Sequence, residues 1–274
     1  MKSFSINVSD KSTAIYLQNY LTKNSNHCYE VELEHDDNFF VVTISFSKNT
    51  KENYKNFIYN FSDFIIDCYE KKIVDYIVED EYFYFNKIDK DCIYTFYIEL
   101  KNISFENECL SSIESSVNFY FSTSDFVNLD GLIHFGLRDF NNKVKNKISD
   151  AVNSFIVEKE YKKFLDMLKE YIETSKSKIY RIHLIYLNSI ATLLDDNGKE
   201  IELENISANH ILSDFDFSKN DYVLNTLISL APKEIILHLL SPSDNFIDAI
   251  SQIFSSRVKI CKDCEYCKKY HDDI

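Results

Sequence analysis

Residues that break helices are almost absent from this chain. Its 274 residues include only 3 Gly and 2 Pro, so few positions interrupt a helix or supply a flexible turn. This scarcity predicts long helices joined by tight polar loops, and it leaves no Gly-rich loop that could cradle a phosphate group. Because 45% of the residues are apolar, with 22 Phe and 19 Tyr among them, the chain can bury a substantial core.

The charge of the chain restricts its partners. The formal net charge is -14 at pH 7, and such a field repels phosphate backbones and anionic membrane surfaces. No apolar run reaches the ~18 residues of a membrane span, and the first residues lack the pattern of a secretory signal. We therefore expect a cytoplasmic protein that binds no nucleic acid and does not span a membrane.

The first fifty residues have the pattern of a β-α-β-β module. Alternating apolar residues predict a strand at 3–8, and a capped apolar stripe predicts a helix at 10–21. Two further alternating segments, at 28–34 and 39–46, predict a hairpin across the polar turn 35–38.

The middle of the chain is predicted to be helical. Apolar residues recur every three or four positions over 53–78, which predicts the longest helix of the protein. Residues 128–131 form a turn signal. Further helices are predicted at 82–100, where a strand is the alternative, and at 108–120, 137–155 and 164–171.

The pattern changes to mixed α/β after residue 177. Strands are predicted at 179–186, 189–194, 199–203, 234–239 and 257–260, and helices at 222–230 and 243–254. The last strand, helix and strand predict a parallel β-α-β unit. The fold class is therefore α+β, with a β-α-β-β module at 1–50, a helical region at 51–177, a mixed α/β subdomain at 178–260 and a Cys-rich tail at 261–274.

The tail carries the clearest chemical motif of the chain. Cys261, Cys264 and Cys267 form a Cys-x-x-Cys-x-x-Cys run, and His271 follows four positions later. Three thiolates and one imidazole are the donor set of a closed tetrahedral zinc site. An iron-sulfur cluster is the alternative metal centre, although the usual fourth Cys followed by Pro is missing. Reversible thiol chemistry and an idle tail are the remaining alternatives.

Other candidate residues have simpler structural explanations. His183 and His238 lie in predicted strands and could point toward the cysteines, but a packed role is favoured for both. His134, Arg138 and Asp139 could be imagined as a catalytic group, yet Arg138 and Asp139 suit the start of a long helix. The cysteines without a partner at motif spacing are expected to be structural: Cys28, Cys68, Cys92 and Cys109.

Three stretches give the chain a family resemblance. They are Asp-Gly-Leu-Ile-His-Phe-Gly-Leu-Arg-Asp-Phe at 130–140, Glu-Lys-Glu-Tyr at 158–161 with Phe164 and Leu168, and Ala-Pro-Lys-Glu-Ile-Ile at 231–236. In these stretches the chain resembles the YtxC-like family of sporulation-associated proteins. It departs from the family pattern at Gly136, where the pattern has a basic residue, and at Asp263, where it has Gly.

The resemblance implies a cytoplasmic protein of endospore-forming bacteria with no established catalytic activity. Together with the cysteine motif, it predicts a non-enzymatic interaction or regulatory protein that has a metal-binding tail and an unidentified protein partner. The alternative is a redox or metal-dependent enzyme that uses the same cysteines. The fourth coordination position separates the two, because a closed site is structural and an open one admits water or substrate.

Overall fold

The computed structural model describes residues 3–36, 39–46, 50–202 and 218–271, apart from the side chains of Asp36 and His271. The chain divides into two compact units, Met1–Val157 and Glu158–Ile274. Strands and helices occur in both units, so the predicted α+β class is confirmed. The finer division at residues 50, 177 and 260 stays a prediction.

The first unit contains the predicted β-α-β-β module. Its elements are β1 (Ser3–Val8), α1 (Lys11–Asn24), β2 (Glu30–Asp36) and β3 (Phe39–Ser45). The Asp10 carboxylate caps α1 by accepting a hydrogen bond from the Thr13 backbone N–H at 2.8 Å. The first two residues of the predicted turn 35–38 fall at the end of β2, and the other two lie outside the described residues.

A short strand that the sequence did not indicate completes this sheet. The strand β4 (Phe126–Asn128) pairs in parallel with β1, giving the strand order β2-β3-β1-β4. Because β4 has only three residues, it offers too few positions for an alternating pattern to be recognised.

Three further helices of the first unit follow the sequence pattern closely. They are α2 (Lys51–Glu81), α3 (Lys87–Leu100) and α4 (Ile103–Thr123). The side chains of Thr50, Asn86 and Asn102 each accept a backbone N–H three residues later, which starts the helix that follows. The ambiguous segment 82–100 is therefore mainly helical. Aromatic rings fill the space beneath the sheet, where Phe4 lies 4.8 Å from Phe121 between ring centroids.

The longest helix of the described chain is α5 (Arg138–Thr174), with 37 residues. The prediction that 53–78 would form the longest helix is therefore wrong, and so is the prediction of separate helices at 137–155 and 164–171. No Gly or Pro interrupts residues 138–174, so nothing in the sequence stops the helix between the two apolar stripes.

The second unit is built on a four-stranded sheet of order β6-β5-β7-β8. Its strands are β5 (Arg181–Leu187), β6 (Ile190–Leu194), β7 (Glu234–Leu239) and β8 (Val258–Ile260), and its helices are α6 (Lys219–Leu230), α7 (Asn245–Phe254) and α8 (Glu265–His271). The strands β5, β7 and β8 are parallel, whereas β6 is antiparallel to β5. The predicted parallel β-α-β unit is thus confirmed as β7-α7-β8.

The strand predicted at 199–203 does not form over its described residues. Residues 199–202 make only an isolated bridge, between Leu194 and Glu200, and Leu203 lies outside the described residues. The turn at 195–198 is present, with the Gly198 N–H donating to the Asp195 carbonyl at 3.0 Å. The chain folds back after this turn but leaves the sheet after one bridge.

A single π-helical turn, Leu132–Gly136, precedes α5. A Cβ atom at Gly136 would lie 2.7 Å from Leu132 Cδ1 and 2.8 Å from Tyr120 Cε2. These distances are too short for non-bonded carbon atoms, so the turn closes around a position that has no room for a side chain.

We expect Gly136→Ala to destabilise the protein by about 1–3 kcal/mol, since overpacking a filled site forces its neighbours to move. The measurement is the free energy of unfolding in urea. Gly131→Ala is the matched control, because the nearest atom to a Cβ there is Asn128 Oδ1, at 3.3 Å, and we expect its cost to be smaller. Equal stability of Gly136→Ala and wild type would show that the turn relaxes freely.

Candidate metal centre

Parallel pairing brings His238 and Cys261 to the same side of the second sheet. On β7, Ile235 and Leu237 point into the apolar core, so His238 points to the opposite face. The strands β7 and β8 pair Leu237 with Ile260, and the Cys261 N–H then donates to the Leu237 carbonyl at 2.9 Å. Cys261 therefore follows the end of β8 directly beside His238.

A short helix supplies the other two thiols. Cys264 immediately precedes α8 and Cys267 lies in its first turn, so one helical turn brings both side chains to the same side. The Lys268 N–H donates to the Cys264 carbonyl at 3.1 Å, which closes this turn. The two-residue gap in the sequence thus becomes a single cluster of sulfur atoms.

The four donor atoms converge on one point. The Sγ atom of Cys267 lies 3.8 Å from Sγ of both Cys261 and Cys264. His238 Nδ1 lies 3.3 Å from the Sγ atom of Cys267 and 3.5 Å from that of Cys264. All four donor atoms lie within 4.8 Å of one another.

Four of the six separations between the donor atoms match a tetrahedral site for a single ion. Zinc with Zn–S bonds of ~2.3 Å and a Zn–N bond of ~2.0 Å requires S···S separations of about 3.8 Å and N···S separations of about 3.5 Å. The observed S···S separations of 3.8 Å and N···S separations of 3.3 and 3.5 Å agree with this geometry. We conclude that the group could hold a metal ion.

The electrostatic environment keeps His238 ready to act as a ligand. His238 is fully buried, and this burial, followed by the charge of the nearby His183, lowers the pKa of His238 to about 4. The imidazole is therefore neutral at pH 7 and retains a lone pair on one ring nitrogen.

The surroundings of the three thiols shift their pKa values in different directions. Burial and a hydrogen bond with Cys264 raise the pKa of Cys261 to about 12, and burial raises the pKa of Cys267 as well. Burial also disfavours the Cys264 thiolate, but hydrogen bonds led by the Cys267 backbone N–H outweigh it and lower the pKa of Cys264. A metal ion would have to displace the protons of Cys261 and Cys267 when it binds.

Aromatic packing holds α8 against the sheet beside the cluster. The ring of Tyr266 lies 4.9 Å from that of His183 and 5.9 Å from that of His238, between centroids. Gly198 adopts φ +77°, and a Cβ there would lie 3.1 Å from Tyr266 Cε1. The turn at 195–198 therefore accepts the Tyr266 ring because its last residue is glycine.

The structure brings together three of the four ligands predicted from the sequence and adds a different histidine. Cys261, Cys264 and Cys267 cluster, whereas the side chain of His271 lies outside the described residues. Sequence analysis favoured a packed role for His238, yet its Nδ1 atom faces two of the thiols. A usable signal was present, because His238 lies near the carboxyl end of a predicted strand whose parallel partner ends just before Cys261.

His134 and Asp139 lie in the first unit and line different cavities. His134 lines a cavity of ≈ 650 Å³ beside α2, whereas Asp139 lines one of ≈ 520 Å³ beside α4. Asp139 accepts a hydrogen bond from Ser112 Oγ at 2.6 Å. The remaining cysteines are free thiols, of which Cys109 is buried and Cys92 is exposed.

Comparison with known proteins identifies relatives without assigning an activity. The model of the YtxC-like family matches residues 55–259, a range that includes His238 and ends just before Cys261. A protein of Bacillus subtilis (strain 168) named "Uncharacterized protein YtxC" is 22% identical over 126 residues. That alignment covers 46% of this chain and 45% of the relative, so the similarity spans less than half of the relative's length.

No solved structure matches the chain. Among the described residues, no helix combines the length and apolar character needed to cross a membrane.

Proposed function

The chain belongs to the YtxC-like family, and from this membership and the geometry of the cluster we propose that it is a zinc-binding protein with a Cys₃His centre. The ligands are His238, Cys261, Cys264 and Cys267. The observation that carries the proposal is the convergence of four soft donor atoms within 4.8 Å. The S···S separations of 3.8 Å suit one ion better than a multi-iron cluster, whose ligands surround a larger body.

The centre is closed and therefore structural. Four protein donors fill a tetrahedral zinc ion, which leaves no position for water or substrate. Because His238 belongs to β7 while Cys264 and Cys267 flank the start of α8, the ion clamps the carboxyl-terminal segment onto the sheet. The role that fits such a clamp is to present a fixed surface to a protein partner.

The cellular setting completes the proposal. We place the protein in the cytoplasm as a non-enzymatic interaction or regulatory protein associated with sporulation. The family membership supports this setting, as does the net charge of -14, which disfavours nucleic-acid and membrane partners. The partner surface is expected to include α8, because the clamp fixes that helix.

Thiol-disulfide chemistry is the second candidate function. Cys264 and Cys267 form a Cys-x-x-Cys pair with sulfur atoms 3.8 Å apart, and the hydrogen bonds that lower the pKa of Cys264 favour an attacking thiolate. A disulfide in protein purified under glutathione buffer, together with an absence of zinc, would favour this function over the clamp.

We expect the purified protein to contain about one zinc ion per chain, because four donors define one site. Elemental analysis after anaerobic purification measures this content. Cys267→Ser and His238→Gln should each lose most of the zinc, whereas Cys68→Ser and His271→Gln should retain it. Retention by His238→Gln with loss in His271→Gln would restore the ligand set predicted from the sequence. Brown protein with visible absorption would instead indicate an iron-sulfur cluster.

Removing the metal should release the tail without unfolding the second unit. Among the described residues, the apolar core of that unit extends no further along the chain than Val258, so the core does not depend on the tail. A chelator should therefore accelerate trypsin cleavage after Lys262, Lys268 and Lys269 several-fold, while far-ultraviolet circular dichroism changes little. Cys267→Ser without chelator should match the chelated wild type. Collapse of the circular dichroism signal would show that the metal holds the whole unit together.

The sporulation setting can be tested in the host. Deletion of the gene should lower the count of heat-resistant spores without slowing vegetative growth, and the wild-type gene should restore the count. Complementation with Cys267→Ser should fail if the clamp is what the partner recognises. Normal spore counts in the deletion strain would argue against a sporulation role.

A further inference from the structure

We propose that His183 is a positioning residue of the metal centre, since it accepts the ring N–H of His238 and thereby fixes which nitrogen His238 offers to the metal. This inference rests on the proposed function. His183 is not one of the four ligands, and its role is a hydrogen bond to one of them.

The two nitrogens of His238 face different partners. Its Nδ1 atom faces the Cys267 and Cys264 thiols at 3.3 and 3.5 Å, and its Nε2 atom lies 3.0 Å from Nδ1 of His183. A neutral imidazole carries one ring proton. When Nδ1 of His238 binds a metal through its lone pair, the proton must be on Nε2, where His183 Nδ1 is placed to accept it.

This hydrogen bond also fixes the tautomer of His183. Because its Nδ1 atom accepts, its own proton must be on Nε2, which lies 3.8 Å from Asp196 Oδ1. That distance is too long for a direct hydrogen bond, so Asp196 contributes electrostatically and its effect should be smaller. The order Asp196, His183, His238, metal resembles the carboxylate–histidine–metal arrangement that orients ligands in other metal sites.

Packing restricts the position of the His183 ring. Its ring lies edge to edge with that of His238, with centroids 5.2 Å apart and an angle of 28° between the ring planes, and it contacts the Tyr266 ring on α8. Only 15% of its side chain is exposed, so a water molecule has little room to replace the ring nitrogen as acceptor. The carboxyl-terminal segment that carries the thiols therefore also packs against the residue that orients the fourth ligand.

Two substitutions distinguish the loss of the hydrogen-bond acceptor at His183 from the loss of the packing of its ring. His183→Phe keeps an aromatic ring beside Tyr266 but removes the acceptor, whereas His183→Asn places an amide oxygen near the former Nδ1 position. His134→Phe is the matched control, because His134 is an exposed histidine of the first unit. The full chain is titrated with zinc against a chromophoric chelator, and the spectrum of the cobalt-substituted protein reports the ligand geometry.

We expect His183→Phe to weaken zinc binding by about 10–100-fold and to alter the cobalt spectrum. His183→Asn should recover most of the affinity, and His134→Phe should bind as wild type does. Unchanged affinity in His183→Phe would overturn the inference while leaving the proposed function intact. Equal weakening in both His183 variants would also overturn it, because packing rather than the acceptor would then be responsible. A wild type that binds no zinc would instead overturn the proposed function.

If His183→Phe does not fold, nuclear magnetic resonance of the wild type tests the inference instead. In zinc-loaded protein labelled with nitrogen-15, the ring signals of His238 should show metal-bound Nδ1 and protonated Nε2. Metal-bound Nε2 would overturn the inference. The free energy of unfolding of the metal-free protein in urea should differ little between His183→Asn and wild type. A merely structural role for His183 would instead change this free energy.

Discussion

The parallel pairing of β7 with β8 decides what the last cysteines can do. Parallel strands end at the same edge of a sheet, so a residue that follows β8 lies beside the end of β7. The pairing of Leu237 with Ile260 sets the register that puts Cys261 next to His238. Cys261 could not lie beside His238 without this register, because a slip of one residue in β7 would turn His238 into the apolar core.

The second face of this sheet carries charged and histidine side chains beside apolar ones such as Ile185 and Ile236, and the tail covers part of it. On β5 and β7 the residues Ile182, Leu184, Ile235 and Leu237 are buried in the core, whereas Arg181, His183, Glu234 and His238 lie on the other side. Glu234 there forms ion pairs with Arg181 and Lys259, which satisfies a carboxylate that is mostly covered. A neutral, fully buried His238 also needs partners, and it finds them in His183 and the thiols.

Much of the fold could be predicted because its determinants are local. The strand at 3–8, the strand at 234–239 and the capped start of the first helix were predicted where they occur, since alternation and capping depend on neighbouring residues. The continuity of α5 was missed because two apolar stripes on one helix bury into two different cores. The strand β4 was missed because three residues that pair with a distant strand carry almost no local pattern.

For the candidate site, the sequence by itself determined the chemistry of three ligands and the tertiary structure decided the fourth. The spacing of Cys261, Cys264 and Cys267 brings their thiols together through one turn of backbone. Because this effect is local, the motif alone predicts it. His238 joins them only because two strands distant in sequence pair in parallel and because side chains alternate between the faces of a sheet. Sequence distance favoured the nearer His271, whereas the pairing of the strands places Nδ1 of His238 beside the thiols of Cys264 and Cys267.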